Sequence, residues 1–395
     1  MTSTERRFTS VEICAGAGGQ AVGLHDALFK HLALIEVDPH ACATLRKNVE
    51  GNSEWHGCEV IEADLTKLDL AALKDRLRRQ LGLSDEEDVT GKLDLLAGGV
   101  PCPPFSVAGK QLGQDDERDL FPTMINMVRE LRPNAVMIEN VRGLLDQKFE
   151  PYRQRILRDL EALGYRKCLW KVLEAKDYGV PQLRPRAILV AMTEKYAEHF
   201  TWLEPEKLPI TTVAQALEGS MRQRFNAVND PRADDAFKRW YGEASKDVAP
   251  TVVGGSKKHG GADLGPTRAK KAWRDLGVCG LGVANDPEEM KDKERDLFAP
   301  AGPKLTVGQA AIIQGFPEAW QFVGKKTAAY RQVGNAFPPP VAQAVGERII
   351  AALEAATAGA SAGQPDGSFE VPGPSVSARP EFRDCCGDFE GAGIG

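Results

Sequence analysis

Between residues 8 and 200 short apolar runs alternate with stretches whose apolar positions recur every three or four residues, a pattern of strands interleaved with helices. Strand-like runs open residues 8–24, fill 32–37 (LALIEV), centre on Val60-Ile61, fill 93–97 and 135–138, and return near 166–173 and within 178–192. Helices are predicted from the glycine turn through Leu28, over 39–49 behind the Asp38-Pro39 pair, and over 69–81, where Leu70, Leu73, Leu77 and Leu81 make one stripe. Two more follow, at about 120–131 and 151–163. Strand-then-helix alternation of this kind predicts an α/β fold with a mostly parallel sheet. From about 200 to 300 the alternation fades and Gly, Pro and charged residues increase. A short amphipathic helix then lies within 304–317, ended by Gly315, and a last helix runs from Val341 to Ala355. The pattern divides the chain into a body (1–199), a smaller irregular domain (200–320), a returning segment (321–356) and a tail (357–395). The tail is rich in Ala, Gly, Ser and Pro and is expected to be disordered.

Composition narrows the class without naming a function. With 395 residues, 42% hydrophobic and 27% charged, the chain can bury a sizeable core in one large domain or two ordinary ones. A net charge of -6 does not advertise a nucleic-acid binder, although a local basic patch sets the field at a binding face. The 8 cysteines are scattered, none forms a Cys-x-x-Cys pair and no His cluster completes a metal site. A reduced, cytoplasmic protein without zinc or disulfides is therefore expected. No N-terminal stretch suits a signal peptide, and no apolar run reaches the ~18 residues of a membrane span.

The candidate chemistry collects where the predicted strands end. The first strand runs into Gly16-Ala17-Gly18-Gly19 and a helix, an arrangement that lets backbone approach a ligand and offers free N–H groups. Glu36 and Asp64 close the next two strands; each is either a ligand-binding acid, Glu36 near the spacing that suits ribose hydroxyls, or a strand-end surface acid. The run 93–97 leads into GGVPCPPFSVAGK (98–110), where Pro101, Pro103 and Pro104 stiffen the loop around Cys102. That cysteine is either a nucleophile held in place or a small hydrophobe packed in a loop. Glu139, at the end of 135–138, is a proton-handling candidate or a salt-bridged structural acid. Gln182, Arg184 and Arg186 alternate at strand spacing and so share one face, suited to a planar anion or carbonyl acceptor unless they mark an exposed edge strand. In 251–274 the basic residues Lys257, Lys258, Arg268, Lys270, Lys271 and Arg274 stand among glycines against the single acid Asp263. The segment reads as loops that track a phosphate backbone or as a solvated basic face.

Six segments, in order, resemble the motifs of the cytosine carbon-5 DNA methyltransferases: EICAGAGG (12–19), GGVPCPPFS (98–106), ENVRGL (139–144), QLRPR (182–186), KLTVGQAAIIQGFP (304–317) and YRQVGNAFPP (330–339). The resemblance covers roughly residues 8 to 350 and implies a Rossmann-like, mostly parallel methyltransferase sheet with a target-recognition domain inserted before the C-terminal motifs. It implies methyl transfer from S-adenosylmethionine to carbon-5 of a flipped-out cytosine in a specific double-stranded DNA sequence. By resemblance, Cys102 is the nucleophile, Glu139 bonds the ring nitrogen at position 3, Arg186 holds the carbonyl at position 2, and Arg184 supports the loop or a phosphate. The cofactor would be held by Ala15, Gly16, Ala17, Gly18, Gly19, Glu36, Val37, Asp64, Leu65, Pro101, Leu120, Asn335 and Ala336. DNA would meet Lys257, Lys258, Arg268, Lys270 and Lys271.

The chain also departs from the family pattern: Glu12 and Cys14 stand where Asp and Phe are usual, and Val37 where an aromatic is common, so the adenine would pack on aliphatic groups. The resemblance further implies the modification arm of a restriction–modification system, beside which an endonuclease could act separately, and a monomer would suffice for it. A tRNA cytosine methyltransferase keeps the same chemistry on another substrate. A dinucleotide-dependent oxidoreductase is the reading from another class, opposed by the incomplete Gly-x-Gly-x-x-Gly and by the ENV and QLRPR segments.

Overall fold

The structure, a computed structural model, describes residues 8–101, 119–202, 209–254 and 262–361. Its centre is a seven-stranded sheet of β1 (Phe8–Ile13), β2 (Phe29–Glu36), β3 (Glu59–Glu62), β4 (Leu95–Gly98), β5 (Ala135–Val141), β6 (Tyr165–Glu174) and β7 (Pro185–Thr193), in the order β3-β2-β1-β4-β5-β7-β6. Strands β1 to β5 pair in parallel, and β7 runs antiparallel between β5 and β6. Parallel strands are covered on both faces, which explains why β4 is buried at every residue.

The helices are α1 (Gly19–Asp26), α2 (Pro39–Val49), α3 (Leu70–Gln80), α4 (Phe121–Leu131), α5 (Glu150–Ala162), α6 (Glu194–Ala197), α7 (Val213–Asn226), α8 (Ala233–Ala244), α9 (Thr267–Asp275), α10 (Lys293–Asp296), α11 (Val307–Gln314), α12 (Lys326–Asn335) and α13 (Pro339–Ser361). Short polar side chains start several of them: Asp38 accepts from the N–H groups of His40 and Ala41, and Asp69 from those of Ala71 and Ala72. One face of the sheet packs on α3, α4 and α5 through Leu73, Leu77, Met124, Val128, Ile156 and Leu160. The other packs on α1 and α13 through Leu24, Val345, Ile349 and Leu353. The last helix lies so close to the first that a methyl group on Gly23 would drive into the Pro339 carbonyl and Ala342.

A second core joins α7, α8, α9, α11 and α12 around Trp240, Trp273, Phe225 and Tyr330. Among its described residues, the stretch expected to be irregular carries five α-helices, α7 to α11, joined by non-repetitive segments. Its turns of helix carry few apolar residues each, and the core closes only when residues far apart in sequence meet. Segment 267–275, expected as a glycine-basic loop, is the helix α9, anchored by the buried Trp273. The last helix continues to Ser361, past the start of the expected disordered tail; 362–395 lie outside the described residues.

Candidate active site

In the order β3-β2-β1-β4-β5, chain connections run outward in opposite directions from β1 and β4, and such a reversal opens a crevice at the strands' C-terminal ends. A cavity of about 390 Å³ lies there. Its first wall is the turn between β1 and α1. Cys14 and Gly16 adopt left-handed backbone (φ 50° and 55°), and Gly18 (φ 92°) caps α1. Glu36, at the end of β2, holds this turn: one carboxylate oxygen accepts from the Gly16 N–H at 2.7 Å, the other from Val37 and Asp38 at 2.8 Å. The indole of Trp320 donates to the Ala17 carbonyl at 3.0 Å, and its ring fills the space a side chain on Gly18 would need. The facing wall comes from Ala328, Arg331, Gln332 and Asn335 on α12, followed by Ala336 and Phe337.

Most of the expected cofactor set lines this cavity: Ala15, Gly16, Ala17, Gly19, Glu36, Val37, Pro101, Leu120, Asn335 and Ala336. Gly18, Asp64 and Leu65 do not line it. Asp64 caps a short turn, accepting from the Thr66 N–H and hydroxyl, and Leu65 is buried in the core beneath. The structure adds Glu12, Cys14, Gln20, Asp38, His40 and Arg331 to the lining. Glu12 (0% exposed) and Gln20 (4%) form the floor, and apart from the approach of Gln20 to Glu12 none of their side-chain oxygens and nitrogens has a hydrogen-bond partner among the described residues. Burial, then the nearby Glu36, pushes the Glu12 carboxyl well above the usual carboxylate range. No aromatic stands at positions 14 and 37; Val37 is 61% exposed at the rim.

The chemistry-bearing corner is built by β5 and β7. Their antiparallel register sets Val141 opposite Arg186 and Glu139 opposite Ile188. The Arg186 guanidinium meets the Glu139 carboxylate at 2.8 Å, and Glu139 reaches the cavity. Burial raises the Glu139 carboxyl, and Arg186 then Arg184 pull it back. Burial lowers Arg186, with Glu139 opposing. Gly99 stands so near that a Cβ there would lie 3.3 Å from the second Glu139 oxygen. Asn140 donates to the Val100 carbonyl at 2.7 Å and so ties the end of β5 to the approach to Pro101. Cys102 itself lies outside the described residues.

Arg184 is placed differently from the sequence expectation. Strand β7 begins at Pro185, so Gln182 and Arg184 do not share a strand face with Arg186. The Arg184 guanidinium is 2% exposed and donates to the carbonyls of Val252 (2.6 Å), Gly334 (2.9 Å) and Ala336 (2.8 Å). Gln182 likewise takes the Val252 N–H and donates to Ile313 and Gln314. Arg184 therefore clasps three chain segments instead of facing a reacting group or a phosphate. Replacing it with methionine strands three buried carbonyls, and an expected loss on the order of 3 kcal/mol follows. Chemical denaturation of Arg184→Met checks this; an unchanged midpoint would remove the clasp role.

Of the expected DNA contacts, Lys257 and Lys258 lie outside the described residues. Arg268 and Lys271 are exposed on α9, and Lys270 pairs with Asp263 at 2.7 Å. Among the described residues no group of three or more His, Cys, Asp or Glu could hold a metal ion, and no helix is long and apolar enough to cross a membrane.

Residues 8–351 match the family described as C-5 cytosine-specific DNA methylase. Type II methyltransferase M.NaeI of Lentzea aerocolonigenes is 49% identical over 346 residues, 87% of this chain and 75% of its own length. Type II methyltransferase M.NgoMIV of Neisseria gonorrhoeae is 46% identical over 353 residues, 88% of this chain and 99% of its own. Among solved structures, the Entamoeba histolytica methyltransferase EhMeth superposes with a TM-score of 0.58 at 13% identity, covering 89% of this chain and 99% of its own. A DNA modification methyltransferase encoded within an E. coli prophage gives 0.56 at 20% identity, covering 88% and 99%. At such identities the likeness is one of fold.

Proposed function

As the chain belongs to the C-5 cytosine-specific DNA methylases, we propose that Cys102, Glu139 and Arg186 carry out its methyl transfer to carbon-5 of cytosine. The observation that carries this assignment is the Glu139–Arg186 pair, buried at 2.8 Å against a cavity that Pro101, the residue before Cys102, also lines.

Carbon-5 of cytosine is a poor nucleophile. Bond formation between the Cys102 sulfur and carbon-6 pushes an electron pair through the ring, so that carbon-5 becomes the electron-rich end of an enamine. The negative charge collects on nitrogen-3 and the carbonyl at position 2. Glu139, whose buried carboxyl holds its proton more firmly than an exposed one, donates at nitrogen-3. Arg186 supplies N–H donors for the carbonyl oxygen while fixing Glu139. Once carbon-5 carries the methyl group, its proton is lost to solvent, the C–H pair forms the 5,6 double bond and expels the Cys102 thiolate, and nitrogen-3 returns its proton to Glu139.

S-adenosylmethionine, the methyl donor of this family, supplies an electrophilic methyl group when bound. The cavity fits such a group: its floor presents Glu12 and Gln20 with unsatisfied polar atoms, and its walls present the Gly16–Gly19 turn, Glu36 and Asn335. Glu36, Val37, Asn335 and Ala336 would hold it, with Leu120 and Pro101 beside the reacting end. Arg184 serves as a positioning residue that holds the Asn335 wall.

The target atoms are shielded in a stacked duplex, so the base must flip out, at a cost of a few kcal/mol. The helical unit around Trp240 and Trp273 is the target-recognition part of the protein, with the exposed Arg268 and Lys271 of α9 toward the phosphates. The enzyme acts as a monomer in the cytoplasm, as the modification arm of a restriction–modification system. The similarity to Type II methyltransferases does not favour tRNA as the substrate. Bisulfite sequencing of plasmid DNA from a methylation-free host expressing this chain tests the assignment. Protected cytosines in one short recurring sequence are expected; uniform conversion would contradict it.

A further inference from the structure

The mechanism leaves Glu12 without a task. It sits between Val11 and Ile13 on β1, fully buried, and lines the cavity together with Gln20 from the first turn of α1. Among the described residues neither side chain has a hydrogen-bond partner outside this pair, within which Gln20 pulls the Glu12 carboxyl back a little. A bare carboxylate in such surroundings is costly, and a group so placed stays neutral. Among the described residues, no cation is among the groups that shift it. Glu36 faces it from β2, Cys14 stands just past the end of β1, and Cys58 approaches ahead of β3. Burial pushes both thiols up to about 12, with carboxylates adding to the effect, so they stay neutral as well. Around the same cavity stand Glu139 from β5, His40 from α2 and Arg331 from α12.

The vacant acceptors fit one part of the cofactor. Its sulfonium has no N–H to give. Its amino-acid end has an ammonium with three N–H donors, and the floor holds three acceptor oxygens, two on Glu12 and one on Gln20, with no partner outside this pair among the described residues. The Gln20 amide N–H groups remain for the neighbouring carboxylate of the same end. Resting on the S-adenosylmethionine reading of this pocket, we propose that Glu12 and Gln20 seat the cofactor's ammonium and that Glu12 releases a proton to solvent as the cofactor enters. The Glu12 O–H bond breaks, the proton goes to buffer, and the ammonium keeps its three protons against the new carboxylate. Cofactor uptake is thereby coupled to pH, tightening as pH rises through the range in which free Glu12 is protonated.

Calorimetric titration of the full-length protein with S-adenosylhomocysteine, whose amino-acid end is the same, tests this. Buffers of different ionisation enthalpy count the protons exchanged. The range is pH 5.5 to 7, below the α-amino pKa of about 8. Release of up to one proton per cofactor is expected wherever free Glu12 is protonated, with affinity rising by up to about tenfold per pH unit over that range. Glu12→Gln is expected to abolish the release and flatten the pH dependence, and the des-amino analogue is expected to bind wild-type protein without release. Binding with no proton exchange in wild-type protein would overturn the proposal even if the variant failed to fold. Release that persisted in Glu12→Gln or with the des-amino analogue would overturn it too. Failure to bind the nucleoside at any pH would instead overturn the cofactor reading of the pocket.

Discussion

Replacing Cys102 with serine is expected to bring methyl transfer below detection while cofactor binding persists. Serine keeps the size of the side chain and a polar hydrogen, so the loop has little reason to rearrange. A hydroxyl, however, ionises far less readily than a thiol, and the attack on carbon-6 requires the anion. No other cysteine near the site can substitute. Cys14 lines the cavity, but burial and the carboxylates of Glu36 and Glu12 push its thiol up to about 12. Cys42 and Cys58 are pushed up to about 12 in the same way. Transfer of labelled methyl groups to DNA, beside calorimetry with S-adenosylhomocysteine, separates the two effects. Turnover near wild type in Cys102→Ser would mean that another group attacks the base. Loss of cofactor binding together with turnover would point to a structural role for the cysteine.

Glu139→Gln is the second large effect expected: a fall in kcat of roughly 10²- to 10⁴-fold, the contribution typical of a positioned proton donor. Glutamine matches the carboxyl in shape and can still accept from Arg186, so the corner between β5 and β7 stays folded. It cannot deliver a proton to nitrogen-3. Burial raises the Glu139 carboxyl, so its protonated form persists to higher pH than in an exposed residue. Wild-type turnover should accordingly decline on the alkaline side as that proton is lost, and the variant should lack this limb. A change confined to cofactor affinity, with kcat preserved, would reassign Glu139 to binding.

Much of this site was legible in the sequence because its parts obey local rules. The glycine turn after β1 announces itself by composition, and Glu36, Glu139 and the Cys102 loop each follow an apolar run, which places them at one edge of a parallel sheet. Arg186 could be paired with Glu139 only by family resemblance, since the register of β5 against β7 is a long-range fact. Arg184 was misread for the same reason: its partners are main-chain carbonyls at 252, 334 and 336, and a main-chain acceptor leaves no mark in composition. Asp64 looks like Glu36 by position, yet its own turn and Thr66 take up the carboxylate. The helices α7, α8 and α9 were hidden because apolar positions are sparse within each and are matched by residues as distant as Tyr330. Glu12 and Gln20 stood in plain view in the first motif. That both would be left unsatisfied depends on how α1 and β1 pack.

The two walls of the cavity lie near opposite ends of the polypeptide, one at Glu12 to Ala41 and the other at Ala328 to Phe337. During synthesis at roughly 5–20 residues per second, the second wall leaves the ribosome on the order of half a minute after the first. For that interval the glycine turn lacks Trp320, α1 lacks α13, and Arg184 lacks the carbonyls of Gly334 and Ala336 that it holds in the finished chain. An unfinished chain therefore has half a pocket and little capacity to hold a nucleoside. Competence to bind arrives only once residues 320–337 have been made and packed against the glycine turn.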